Sequence, residues 1–156
     1  MRNTSVGRIL IASAIACIGL TGPLSPAIAK VFSSTGTVIA IMNGELFIGE
    51  AEGHLDGAGT IAIRAQKNPA LTCLGEFTSS AKFGGMGQLR CSDGATGTFY
   101  FKRLSVFRGH GAGTSSRGAM SFSYGMSAEE AAPYLTLPGG KKFSPPGTEL
   151  MLVDAS

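Results

Sequence analysis

The sequence predicts an all-β fold: an antiparallel β-meander of glycine-punctuated hairpins, arranged as a single sheet or an open barrel. Three observations predict it. Apolar and polar residues alternate with period two through most segments between 37 and 125. Turn signals return about every 8–12 residues. The chain has 23 glycines in 156 residues, against an average usage of about 7%, and they fall between the alternating segments as punctuation rather than in one low-complexity block.

The elements follow in order. Thr37-Val-Ile-Ala-Ile-Met42, then Asn43-Gly44, then Glu45-Leu-Phe-Ile48 reads as a hairpin, since Asn-Gly supplies the positive φ that a tight two-residue turn requires. Gly53 and Asp56-Gly57 end that second strand near Glu52. Thr60-Ile-Ala-Ile-Arg64 is the next strand, with Ile61 and Ile63 on one face. Asn68-Pro69 breaks the chain. Leu71, Cys73, Gly75 and Phe77 share one face of the strand that follows, and Leu89 and Cys91 one face of its successor. Phe99-Tyr-Phe101 is strongly β-prone. A strand is expected over 105–108, with Gly109, Gly111 and Gly113 opening a turn. The segment 119–125 closes the sheet with Met120, Phe122 and Tyr124 alternating against Ser121 and Ser123. Beyond 126 the pattern changes. Ser127-Ala-Glu-Glu130 is a capping box for one short helix, limited by Pro133. Gly139-Gly140 and Pro145-Pro146 make the remaining tail irregular, and 149–153 reads either as a last strand or as an apolar tail.

Before the sheet, Arg2 and Arg8 precede an apolar run over 9–20, followed by Gly22-Pro23 and Ala27-Ile28-Ala29. This is the order of a secretory signal peptide with its A-x-A site. The run is shorter than the roughly 20 residues of a bilayer span. The expected organisation is therefore a signal peptide over 1–29, an all-β domain over 30–126, and a helix with an irregular tail over 127–156. The location is periplasmic or secreted, with no transmembrane segment left after cleavage. A second reading takes Ala14-Ile15-Ala16-Cys17 as a lipobox, which would anchor the protein through Cys17. With Cys17 in the leader, Cys73 and Cys91 remain. An exported chain meets an oxidising compartment, so this pair is expected to form a disulfide. Closing the loop between them stabilises by about 3 kcal/mol in the chain-entropy model.

The formal net charge is +3, from 13 Lys+Arg and 10 Asp+Glu. Two of those cations lie in the signal segment, so the exported part is close to neutral. The charges are unevenly spread. Glu45, Glu50, Glu52 and Asp56 cluster early, whereas Asp93 is the only acid between Phe77 and Ala128. A one-sided basic face attracts anionic partners through long-range, salt-sensitive fields.

The layout Cys73-Leu-Gly-Glu-Phe77, turn, Gly85-Met-Gly-Gln-Leu-Arg-Cys91-Ser-Asp-Gly94 recurs. Phe47, Gly49, Glu50, Gly57, Gly59, Ile61 and Ile63 form a second copy, and a degenerate third lies over 109–124. It resembles the MORN repeat, a β-hairpin unit that stacks into an elongated sheet, although the first repeat position, usually aromatic, holds Cys73. The chain also resembles small glycine-rich exported bacterial proteins of unknown role. MORN arrays are mainly scaffolds and lipid or protein binders, so the resemblance implies interaction rather than chemistry.

Candidate chemistry is sparse. His54 between Glu52 and Asp56 is a conceivable metal turn, but turn acids are ordinarily there for solvation. A P-loop, an H-E-x-x-H helix and a G-x-S-x-G elbow are all missing from the sequence. Neither a metal nor a cofactor is expected. The best cluster is basic and aromatic: Tyr100, Lys102, Arg103, Arg108, His110 and Arg117, near Phe99, Phe101 and Phe107. Rings beside arginines suit anionic glycans or lipid headgroups, and nucleic acid is not an expected partner. The leading reading is a non-enzymatic binding or scaffold protein of the cell envelope, contacting an anionic component or a periplasmic protein. A small secreted inhibitor or adaptor acting through the loop 108–117 is the second reading. A hydrolase with no recognisable motif is the third.

Overall fold

Eight antiparallel strands follow one another around a closed barrel: β1 (Ser33–Met42), β2 (Glu45–His54), β3 (Ala58–Ala65), β4 (Thr72–Ser80), β5 (Gly84–Cys91), β6 (Thr96–Arg103), β7 (Gly109–Ser115) and β8 (Gly118–Tyr124). The structure is a computed structural model that describes residues 33–80 and 82–156. The signal peptide expected over 1–29, with Cys17, lies outside the described residues. Each strand pairs with the next, and Val38–Met42 of β1 pairs with Met120–Tyr124 of β8. That last ladder corrects the expectation of a single sheet or open barrel. It leaves no free edge among the eight strands. It also replaces the elongated stack that the MORN-like layout implies.

The barrel closes because large and small residues alternate around its interior. One row runs Phe77, Gly87, Phe99, Gly113, Met120, and the next runs Gly85, Phe101, Gly111, Phe122, Ala40. Each ring therefore leans over a glycine on the neighbouring strand, and each glycine is what its neighbour's ring requires. A Cβ on Gly111 would lie 2.5 Å from Cζ of Phe122, far inside contact distance. The strongest departure from the sequence expectation has the same cause. Gly109, Gly111 and Gly113 are the inward residues of β7, not a turn, and the expected strand over 105–108 is the β6–β7 loop. Glycine at every second position reads as punctuation, but here it makes space for the aromatic rings of β6 and β8.

The Asn43-Gly44 turn holds as expected, with φ of 50° and 78°. Cys73 and Cys91 face each other across β4 and β5 and form the disulfide, buried inside the barrel. Around them Met42, Phe47, Ile63, Leu71, Leu89 and Ala95 fill the core.

A second core lies outside the barrel. Ile39, Ile41 and Leu46 point outward from β1 and β2 and are buried by Met126, Ala131 and Leu135, with Leu137, Phe143, Leu150 and Leu152 packed around them. The tail that covers them begins with α1 (Ala128–Ala131), capped by Ser127 and Glu130 in the expected capping box. It continues through a 3-10 turn at Ala132–Tyr134 and ends in a two-stranded ribbon, β9 (Lys141–Phe143) with β10 (Leu152–Asp154). The irregular tail is thus an ordered strap over an apolar wall. Elsewhere the outer face is mostly polar: Arg64, Glu76, Gln88, Arg90 and Thr98 point away from the interior and are exposed, with Leu74, Met86 and Tyr100 the large apolar side chains among them. Apolar inside and charged outside is the reverse of a membrane-spanning barrel.

Candidate functional site

Successive antiparallel strands send alternate connections to opposite ends. The β1–β2, β3–β4, β5–β6 and β7–β8 connections share the end nearest the disulfide. The β2–β3, β4–β5 and β6–β7 connections share the other end, where the barrel opens into a cavity of about 560 Å³. Eight-stranded barrels are just wide enough to be filled by side chains or to hold one small ligand. Here the disulfide end is filled and the opposite end is not.

The cavity wall is mainly apolar, with Val38, Ala51, Ile61, Phe77, Phe99, Phe101 and Phe122 contributing. Three edge-to-face ring pairs stiffen it: Phe77 with Phe101 at 5.4 Å, Phe99 with Phe122 at 5.2 Å, and Phe101 with Tyr124 at 5.9 Å between centroids. Two polar side chains stand at the open end of this wall. Arg103, Gly109 and Tyr124 are consecutive partners across β6, β7 and β8, all on the inward face. Gly109 is the space between them, since a Cβ there would meet the Tyr124 ring edge and hydroxyl at 2.5 Å.

Arg103 is held in place. One Nη donates to Ser79 Oγ at 2.7 Å and the other to the Val106 carbonyl at 3.4 Å. Its Nε is buried with no hydrogen-bond partner among the described residues, as are the Tyr124 hydroxyl and His54 Nδ1. Burial pushes the Tyr124 pKa above its ordinary value of 10.0, and the Arg103 charge pulls only partly against that. Tyr124 is therefore a neutral hydroxyl beside a fixed cation. The rim also holds an acid, Asp56, whose Oδ1 accepts from the Ala58 backbone N–H at 2.9 Å. A guanidinium and a hydroxyl donor at the mouth of an apolar cavity match an acceptor-rich, anionic group attached to an apolar body.

The six residues expected to form one basic, aromatic cluster are divided. Arg103 is inside the mouth. Tyr100, Lys102 and His110 point outward from β6 and β7, with Lys102 opposite His110, and His110 stacks on Tyr134 at 4.3 Å. Arg108 pairs with Glu130 at 2.6 Å, beside α1. Arg117 lies at the other end of the barrel, paired with Asp93 and Glu45. The segment 108–117 is therefore not a protruding loop: strand β7 occupies most of it, in the barrel wall. His54 with Glu52 and Asp56 forms no cation-holding cluster among the described residues.

Tyr124, Ser79 and His54 are the site residues that the sequence cluster omits. Period two carried one strand further would have found the central pair. Phe99, Phe101 and Arg103 share a parity, as do Met120, Phe122 and Tyr124. A cation in register with buried rings points where they point.

Comparison with known proteins adds no family. No family model and no curated protein matches the chain. Among solved structures it is similar to a chain described as a de novo designed fluorescence-activating β-barrel. The identity is 16%, over 64% of this chain and 96% of that one, with a TM-score of 0.49.

Proposed function

We propose that this is an exported, non-enzymatic binding protein of the cell envelope, and that its ligand sits inside the barrel. The ligand is a small apolar molecule with an anionic head, in chemical terms a carboxylate amphiphile. The observation that carries this reading is the pairing of Arg103 with Tyr124 at the mouth of an otherwise apolar cavity. A volume of about 560 Å³ lies within the 300–1,000 Å³ range usual for small-molecule sites. Buried donors without partners cost stability, and a ligand that accepts from them recovers that cost.

The binding class is the one expected from the sequence, but the contact surface moves from the outer face to the interior. The inhibitor reading is not carried forward, because 108–117 lies in the wall. The test is competition between a long-chain carboxylate and the matching alcohol for the purified protein, in wild type and Arg103→Leu. A charge-assisted hydrogen bond contributes about 1.5–3 kcal/mol. Arg103→Leu should therefore weaken the carboxylate roughly 10- to 100-fold and leave the alcohol nearly unchanged. Equal loss for both compounds, or no saturable binding of either, would refute the assignment.

A further inference from the structure

The open end carries apolar side chains that the barrel does not need. Leu55 in the β2–β3 turn is 78% exposed and Phe83 in the β4–β5 turn 73%. In the β6–β7 loop Leu104 is 52%, Val106 65% and Phe107 62% exposed. Among the described residues, half of the ten large exposed apolar side chains thus sit on three loop tips at one end. Single exposed apolar residues are ordinary, but a group of them rimming a cavity marks a contact surface.

The chemistry of the contact comes from the charges beside them. Lys82 adjoins Phe83, its Nζ lying 5.1 Å from that ring centroid. Lys102 stands exposed on β6, one residue before Arg103, where the β6–β7 loop begins. Neither lysine forms an ion pair among the described residues, whereas Arg108 nearby is occupied by Glu130. Of the acids at this end, Glu52 and Asp56 belong to the β2–β3 hairpin and Glu130 is taken up by Arg108, and the two loops that carry Phe83 and Phe107 hold none of their own. Rings and aliphatic tips flanked by unpaired lysines can bury the former in acyl chains while the latter meet anionic headgroups.

We infer that the rim formed by the β4–β5 turn and the β6–β7 loop docks on an anionic lipid bilayer, so that the cavity opens toward the membrane. Val106 and Phe107 belong both to this rim and to the cavity lining, which makes the docked surface and the ligand entrance continuous. The loading of an amphiphile at the membrane rests on the binding reading above, whereas the docking itself does not.

The experiment is co-flotation of the purified protein with vesicles of phosphatidylcholine, alone or mixed with phosphatidylglycerol. The cavity is assayed separately by titration with a fluorescent carboxylate amphiphile in vesicle-free solution. Mixed vesicles should carry the protein at low ionic strength and release it at high salt. The double change Lys82→Ala with Lys102→Ala should weaken flotation about 30-fold. Phe83→Ser with Leu104→Ser, two exposed loop residues outside the cavity lining, should abolish it while the solution titration keeps its midpoint. Equal flotation with both vesicle types, or flotation unaffected by both double variants, overturns the docking. Vesicle binding without any solution binding upholds the docking and overturns the loading at the membrane together with the binding reading.

Discussion

Arg103 owes its position to parity and its orientation to two acceptors. Period two turns it inward behind Phe99 and Phe101, and Ser79 Oγ and the Val106 carbonyl then fix the guanidinium. Tyr124 reaches the same spot from β8 across Gly109. Two expectations belong to this scale. With its pKa raised by burial, Tyr124 stays protonated at alkaline pH where a free tyrosine has begun to ionise. A raised pKa gives a contribution to stability that is complete below pH 10.0 and is lost as pH rises through the folded value. An ultraviolet titration should show a late phenolate component that Tyr124→Phe removes, and its persistence in that variant would contradict the assignment. The second expectation concerns Cys73 and Cys91. Either one changed to Ser should lower the unfolding free energy by about 3 kcal/mol, read as a lower urea midpoint. An unchanged midpoint would mean that the crosslink does not form. The disulfide is legible because Cys73 and Cys91 are the two cysteines beyond the expected signal segment, which leaves one pairing. The true company of Arg103 is not, because a contiguous basic run hides the fact that Lys102 and Arg103 point in opposite directions.

At the scale of the element, β7 shows why a glycine-rich strand escapes a sequence reading. Gly109, Gly111 and Gly113 carry no apolar signal of their own, and the evidence that they form a strand sits on β6 and β8, in the rings that need the space. Gly111→Val tests this directly. Its side chain would press on Phe122 and the Tyr100 carbonyl, and overpacking of this kind costs about 1–3 kcal/mol. A stability equal to wild type would show that the interior tolerates mass there. The strap after β8 is half legible. Ser127 and Glu130 announce α1, but the hairpin reading of 37–42 leaves unnoticed that Val38-Ile-Ala-Ile-Met42 is buried on both faces. What covers the outer face cannot be read, because Leu135, Leu137, Phe143 and Leu152 are scattered among Gly and Pro with no period. Ile41→Ala should cost about 2–5 kcal/mol, measured by thermal or urea unfolding. A loss well below that would mean that the strap does not seal this face.

For the whole molecule, one division of labour explains the placement of the site. The disulfide end is packed with Met42, Phe47, Leu71, Leu89 and the paired cysteines, and it holds the barrel shut. The opposite end is left open by small residues, Gly36, Ala51 and Gly53 among them, and it ends in exposed apolar loops. The hairpin order through β6 follows from local turn chemistry, so the all-β class is read directly. Closure is not, because it depends on the register between β1 and β8, whose paired residues lie far apart in sequence. The cavity is a consequence of closure and is out of reach for the same reason. The cavity is the proposed binding site. It is tested most directly by titrating the purified protein with a fluorescent carboxylate amphiphile, wild type beside Ala51→Phe, which places a ring in the lining. One molecule bound per chain, with binding lost in Ala51→Phe although the fold is retained by circular dichroism, is the predicted result. Binding that survives Ala51→Phe unchanged, or many weak sites in both proteins, would place the ligand elsewhere and contradict the account.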